Sequence, residues 1–278
     1  MQCPVAVVIS PAKSQRDASV VAAIKKHVDD TIPRYRHKAD ELAELLRKKS
    51  ASQISALMGI SGPLAAGVVD KYAAYKADSE IGVQAALLYD GPAYRGLEFE
   101  SLSAKECRRA AECLRFLSAL YGILKPCDAV QSYRLEMSVK PGEIGLVGPK
   151  SLASHWCGDV SAEFNHILKS NGDAILVNAA SEEYSKAISI KDLNPGIKFI
   201  NIRFLDDGKV KSAYAKKARG QYSRFIVQKS ADTGTMSIDQ LKEFDTDGYA
   251  FSKHESSTDV FVFTRSGGGG PAKKKQKL

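Results

Sequence analysis

The segment Tyr214-Ala215-Lys216-Lys217-Ala218-Arg219-Gly220-Gln221-Tyr222-Ser223-Arg224 places four cations and two tyrosines within about three helical turns. On a helix, Lys217 and Arg224 share one face, while Lys216 and Arg219 lie on a neighbouring face with Tyr222 or Ser223. Such a face is either a solvated basic surface or the wall of a phosphate groove. Planar guanidinium and phenol groups make directed contacts that solubility alone does not require, which favours the groove. There the cations would give salt-dependent attraction and Tyr214 and Tyr222 would offer surfaces for stacking bases.

Two other stretches carry groups able to hold an anion or move a proton. In Tyr133-Arg134-Leu135-Glu136-Met137 an extended chain puts Arg134 and Glu136 on one face. They form either a structural ion pair or a site in which Arg134 holds an anion and Glu136 orients it or acts as acid or base. Asn178-Ala179-Ala180-Ser181-Glu182-Glu183-Tyr184 begins where a strand meets a helix, so Ser181 is placed to cap the helix beside free amides suited to an anion. Capping explains Ser181 without a ligand; it does not explain Tyr184.

A fourth candidate binds through main chain. Gly59-Ile60-Ser61, followed by Ala65, fits the Gly-Ile-Gly-x-x-x-Ala turn of helix-hairpin-helix elements, with Ser61 in place of the second glycine. Such turns hold the DNA backbone without reading bases, because Gly59 and Gly62 let the main chain approach phosphate closely. An ordinary packed helical hairpin is the alternative, since no lysine or arginine follows the turn until Lys71.

The elements that must position these groups alternate in type. Val5–Ser10 is a β-branched first strand, followed by a Pro11–Ser14 loop carrying Lys13. Arg34–Lys48 has amphipathic helical spacing, and Pro63 suits the start of the second hairpin helix. Strands are expected at 85–89, 117–124, 174–177, 198–204, 210–212 and 259–264, with a tight turn at Asp206-Asp207-Gly208. Helices are expected at 104–114, 152–169 and 213–227. The pattern predicts a mixed α/β sheet in one domain over residues 1–265, ending in a flexible tail at 266–278.

Composition narrows the function. The chain carries a formal net charge of +8, but Lys273, Lys274, Lys275 and Lys277 supply four of these charges, leaving the body at +4. A surface for a polyanion must therefore come from clustering. The tail, SGGGGPAKKKQKL, is either a solvated linker or a nuclear-import segment, and its final Gln-Lys-Leu only loosely resembles a peroxisomal address. Cys3, Cys107, Cys113, Cys127 and Cys157 form no C-x-x-C pair, and His155 and His254 stand alone. That argues for a reducing compartment and against a metal site or disulfide framework. With no phosphate loop or dinucleotide fingerprint, no cofactor is expected. Neither a leader nor a membrane span is expected, so the chain reads as a cytoplasmic monomer, with nuclear entry open through the tail.

Five ordered blocks, Ile9–Lys13 with Ser10 inside it, Leu117–Pro126, Tyr133–Met137, Ala180–Tyr184 and Tyr214–Phe225, resemble the YaaA-like family associated with resistance to peroxide stress. The resemblance spans residues 5–265. It implies a single α/β domain with a helix-hairpin-helix element and a positively charged cleft. It also implies DNA binding and a cytoplasmic role in limiting oxidative damage, connected with unincorporated iron. The sequence departs from the pattern at Ser138, where glycine is usual, and in its tail.

Two functions follow. In the first, DNA is the partner, gripped by Gly59–Gly62, with Lys216, Lys217, Arg219 and Arg224 lining the cleft. In the second, an enzyme acts on a nucleotide or nucleobase, with Lys13, Tyr133, Arg134, Glu136, Ser181 and Tyr184 converging on one pocket.

Overall fold

The structure is a computed structural model that describes residues 3–24, 27–79, 81–169 and 173–266. Its frame is five parallel strands, β1 (Cys3–Ile9), β2 (Leu114–Ser118), β3 (Ala174–Asn178), β4 (Ile197–Asp206) and β5 (Val260–Arg265). They lie in the order β2-β1-β3-β4-β5. Val5–Ile9 and all of β3 are buried, as expected of parallel strands covered on both faces. Short antiparallel strands, Gly122–Leu124 beside β2 and Ala250–Phe251 beside β5, close the two edges.

This order fixes where a ligand can sit. The chain leaves β1 to build β2 on one side and then returns to build β3, β4 and β5 on the other. The two crossovers diverge at β1 and β3 and leave a crevice outside the carboxyl ends of those strands. Ser10 follows β1, and Ser181 lies three residues beyond β3.

Among the described residues, seven helices of six residues or more surround the sheet: α1 (Arg36–Arg47), α2 (Ala51–Met58), α3 (Gly62–Ala74), α4 (Pro92–Leu97), α5 (Ala104–Cys113), α6 (Leu152–Ile167) and α7 (Ser212–Lys229). Helix α7 buries Ala215, Ala218, Tyr222 and Ile226, a stripe at helical spacing, and packs on β1, β4 and α4. Its contact with α4 is backbone on backbone. A Cβ at Gly220 would fall 1.7 Å from the Ala93 carbonyl oxygen, and one at Gly96 would fall 2.2 Å from that of Lys217.

Most expected elements are present, and three differ. Residues 85–88 form a short helix, because Ala-Ala-Leu-Leu is a fully buried run whose composition suits helix as well as strand. The 117–124 run is two strands separated by a turn at 119–121, which leads into Gly122, whose φ of 72° an L side chain rarely adopts. The turn after Asp206 exists, with Asp206 and Lys209 exchanging backbone hydrogen bonds of 2.8 and 3.1 Å, but no strand follows at 210–212. Both sides of β4 are already occupied by β3 and β5, so the chain passes directly into α7.

The helical hairpin is present as α2 and α3, which meet at 111° across Gly59, Ile60 and Ser61. Gly59 closes α2 in the left-handed conformation, and nothing lies within 4 Å of a Cβ built at Gly59 or Gly62. Among the described residues no single helix is long and apolar enough to cross a membrane. The lysine-rich tail lies outside the described residues.

Candidate functional site

A cavity of about 420 Å³ opens at the β1/β3 crevice. Its charged lining comprises Lys13, Lys216 and Arg219 together with Asp90 and Glu183, while Pro11, Ala12, Pro92 and Tyr94 give it an apolar side. Tyr133, Arg134 and Glu136 line a small recess beside it, which shares Lys13 and Tyr184 with the main cavity.

The sheet positions the two serines. The amide of Ser181 donates to Ser10 Oγ at 2.8 Å, and Ser10 Oγ donates to Ser181 Oγ at 3.1 Å. Ser181 stands at the cap position just before the helix Glu182–Ser185, but its hydroxyl makes no capping bond. The expected cap is replaced by this tie between strand ends. Asn178 Oδ1 accepts the Ala180 amide at 3.0 Å, and the Ala179 amide donates to Val8, so the turn after β3 is fixed.

The Tyr133–Met137 segment is held by hydrogen bonds from below. Gln15 Oε1 accepts from the Tyr133 amide at 3.1 Å and from Lys71 Nζ at 2.9 Å, while the Tyr72 hydroxyl donates to the Arg134 carbonyl at 2.9 Å. Lys71 and Tyr72 belong to α3, so the hairpin reaches the site through its second helix rather than its turn. Glu136 is met by Lys13 Nζ at 2.7 Å and Arg134 Nη2 at 3.0 Å. Burial raises its carboxyl, but hydrogen bonds and charge from Lys13 and Arg134 outweigh that and hold it below the usual carboxylate range. Burial pushes the Tyr184 phenol well above its ordinary value, and its hydroxyl is hydrogen-bonded to the Met137 main chain.

Arg219 stands apart from the other cations. Its Nε is buried and lacks a partner, and among the described residues neither a hydrogen bond nor an ion pair reaches its guanidinium. Burial alone lowers its pKa. A guanidinium nitrogen buried without a partner at the wall of a cavity is costly unless a group in that cavity accepts its hydrogen bond.

Ser10, Lys13, Ser181, Tyr184, Lys216 and Arg219 therefore meet at one cavity, with Tyr133, Arg134 and Glu136 beside it. The remaining candidates are elsewhere. Lys217 pairs with Asp247 at 2.9 Å. Arg224 brackets α4 through the Leu97 and Glu98 carbonyls and the Ser101 hydroxyl, at 2.9 to 3.0 Å. Tyr214 lies under the Arg265 guanidinium, and Gly59, Ser61 and Gly62 line neither the cavity nor its recess.

Sequence reasoning passed over Gln15, Asp90 and Tyr94. Gln15 had no signal beyond its closeness to Lys13. Asp90-Gly91-Pro92 is a turn-and-helix-start signature that would have placed Tyr94 on the first turn of a helix. Ser138 replaces the expected glycine without strain, since its φ is not positive and its amide donates to Glu183 Oε1 at 3.0 Å. Among the described residues no group of three or more His, Cys, Asp or Glu side chains could hold a metal ion.

Comparison with known proteins agrees with the block pattern. A UPF0246 protein of Ralstonia pickettii is 39% identical over 265 residues, covering 93% of this chain and 98% of the relative. One from Ralstonia nicotianae is 39% identical over 264 residues with the same coverage, and one from Shewanella amazonensis is 38% identical over 265 residues, again covering 93% and 98%. A family model described as "Peroxide stress protein YaaA" matches residues 5–255, and the chain belongs to that family.

Proposed function

We propose that this peroxide stress protein binds a nucleotide-like anion, free or as part of DNA, in the cavity at the carboxyl ends of β1 and β3. The observation that carries this reading is the buried, unpartnered Nε of the half-buried Arg219, which lines that cavity. A phosphate beside Arg219 and Lys216 would satisfy it, while Pro11, Ala12 and Tyr94 suit the flat apolar face of a base.

Binding of nucleoside monophosphates, followed by calorimetry, tests the reading. Arg219→Ala should weaken affinity by roughly ten- to a hundredfold, the worth of a charged hydrogen bond. Equal affinity in both proteins would overturn it.

Duplex DNA is the larger form of the same ligand. The open main chain at Gly59 and Gly62 supports a backbone grip at the hairpin. DNA affinity should then fall by roughly one log unit in K per log unit of salt for each phosphate contact. Insensitivity to salt, or to Lys217→Ala combined with Arg219→Ala, would remove DNA as the partner. Chemistry on the bound nucleotide is a second reading, favoured by Glu136, an ionised carboxylate held between Lys13 and Arg134 beside the cavity. The connection with iron is then indirect, through protection of the nucleotide rather than through a metal site.

A further inference from the structure

Behind the cavity lies a group of buried tyrosines of which the binding reading uses only Tyr94. Tyr94 forms part of the cavity wall, and its ring centroid is 5.0 Å from that of Tyr89. Tyr89 is 6.4 Å from Tyr133, and Tyr133 is 5.4 Å from Tyr121. The Tyr121 and Tyr75 phenols lie close enough to perturb each other's protonation. The Tyr75 hydroxyl in turn donates to Asp40 Oδ1 at 2.8 Å. All five rings are at most 6% exposed.

We propose that Tyr94, Tyr89, Tyr133, Tyr121 and Tyr75 form an electron-transfer chain that draws one-electron oxidation away from the cavity and deposits it at the Tyr75–Asp40 pair. Rings in or near van der Waals contact pass an electron readily, and tyrosine is among the most easily oxidised side chains. A phenol that loses an electron becomes a strong acid, so the oxidation settles where a base can take the proton.

The hydrogen-bond partners differ along the chain in the required sense. Tyr94 donates to the Ser10 carbonyl at 3.1 Å. Tyr133 shares its hydroxyl with Tyr89 and Ser118, each at 2.6 Å. Neither has a carboxylate partner, whereas Tyr75 does. Asp40 belongs to α1 and is only partly buried, and its second oxygen accepts the Asp78 amide at 3.0 Å.

The oxidant is a hydroxyl or alkoxyl radical formed at the cavity. It gains one electron and becomes hydroxide or alkoxide. Tyr75 loses one electron and its phenolic proton, and the Asp40 carboxylate takes that proton, leaving a neutral tyrosyl radical. The proposal does not depend on the nucleotide reading, because the chain is complete with the cavity empty.

Freeze-quenched electron paramagnetic resonance of the whole protein, exposed to hydrogen peroxide with ferrous ion, tests it, with peptide mass spectrometry locating the oxidised residues. The wild type should give a long-lived tyrosyl signal that survives Tyr214→Phe, which removes an exposed phenol. Tyr75→Phe should abolish that long-lived signal, and Tyr133→Phe should in addition raise oxidation of Tyr94 and its cavity neighbours. Asp40→Asn keeps every ring but removes the proton acceptor, and it should shorten the signal's lifetime even if Tyr75→Phe folds poorly. A signal unchanged by both Tyr75→Phe and Asp40→Asn, or oxidation confined to exposed tyrosines, would overturn the proposal.

Discussion

Beside the cavity, Tyr89, Tyr94, Tyr121 and Tyr133 meet one another and Phe116 at ring separations of 5.0 to 6.4 Å. At the β4/β5 edge, Phe204, Tyr222, Phe244, Tyr249 and Phe263 meet at 5.1 to 6.1 Å. The packing is similar and the chemistry is not. The edge cluster is mostly hydrocarbon, and its Tyr222 hydroxyl is discharged onto the Leu241 carbonyl at 2.7 Å. The cavity cluster instead joins its hydroxyls to one another and to Ser118. One region contributes mainly area removed from water, while the other buries a polar network that must be fully satisfied.

The largest expected effect is at the edge. Phe244→Ala removes a ring that touches Phe204, Tyr222, Phe225 and Phe263 and should cost about 3–5 kcal/mol in urea unfolding. A loss no greater than that of a surface substitution would deny this cluster its structural role.

Next comes a contrast between two buried aspartates. Asp206 is answered by the Arg265 guanidinium, whereas Asp128 is met by the Thr31 hydroxyl and the Lys125 amide. Burial pushes the Asp128 carboxyl up to about 6, so between about pH 4 and 6 the folded chain holds a proton that the unfolded chain has released. Stability contributed by this group is therefore complete below pH 4 and falls by about 3 kcal/mol as pH rises to 6 and beyond. Asp128→Asn should remove that fall from a pH series of denaturation midpoints; an unchanged series would mean that Asp128 ionises normally.

The smallest effect sharpens the comparison itself. Tyr133→Phe leaves two buried hydroxyls, those of Tyr89 and Ser118, without a shared partner, and should cost about 1–3 kcal/mol. Tyr222→Phe frees only a carbonyl and should cost about 1 kcal/mol. Equal costs in thermal unfolding would show that the two clusters differ in composition alone.

Much of this was legible in the sequence. The first strand, the amphipathic helix α1, the hairpin and the final strand follow from periodicity and turn residues, which act locally. The site is legible as residue types, because Lys13, Arg134, Glu136, Ser181, Tyr184 and Arg219 each carry chemistry that their local sequence shows. What stayed hidden depends on distant partners. Nothing near Arg224 in the chain announces the Leu97 and Glu98 carbonyls, and nothing near Lys217 announces Asp247. Two basic residues of one helix therefore read alike and fold into opposite roles, Arg219 free at the cavity and Arg224 spent as a bracket. Residues 210–212 read as a strand because composition does not reveal that both sides of β4 are occupied.

The close approach of α4 and α7 at Gly96 and Gly220 also sets a dimension. Helix α4 carries Pro92, Ala93 and Tyr94 of the cavity wall, and α7 carries Lys216 and Arg219. Two absent side chains thus act as the spacer between the apolar and cationic walls. A single methyl at position 220 would have to drive Ala93 outward, carrying Tyr94 with it. The bore of the cavity is gauged where backbone meets backbone, so an uncharged substitution there would recalibrate which ligands fit.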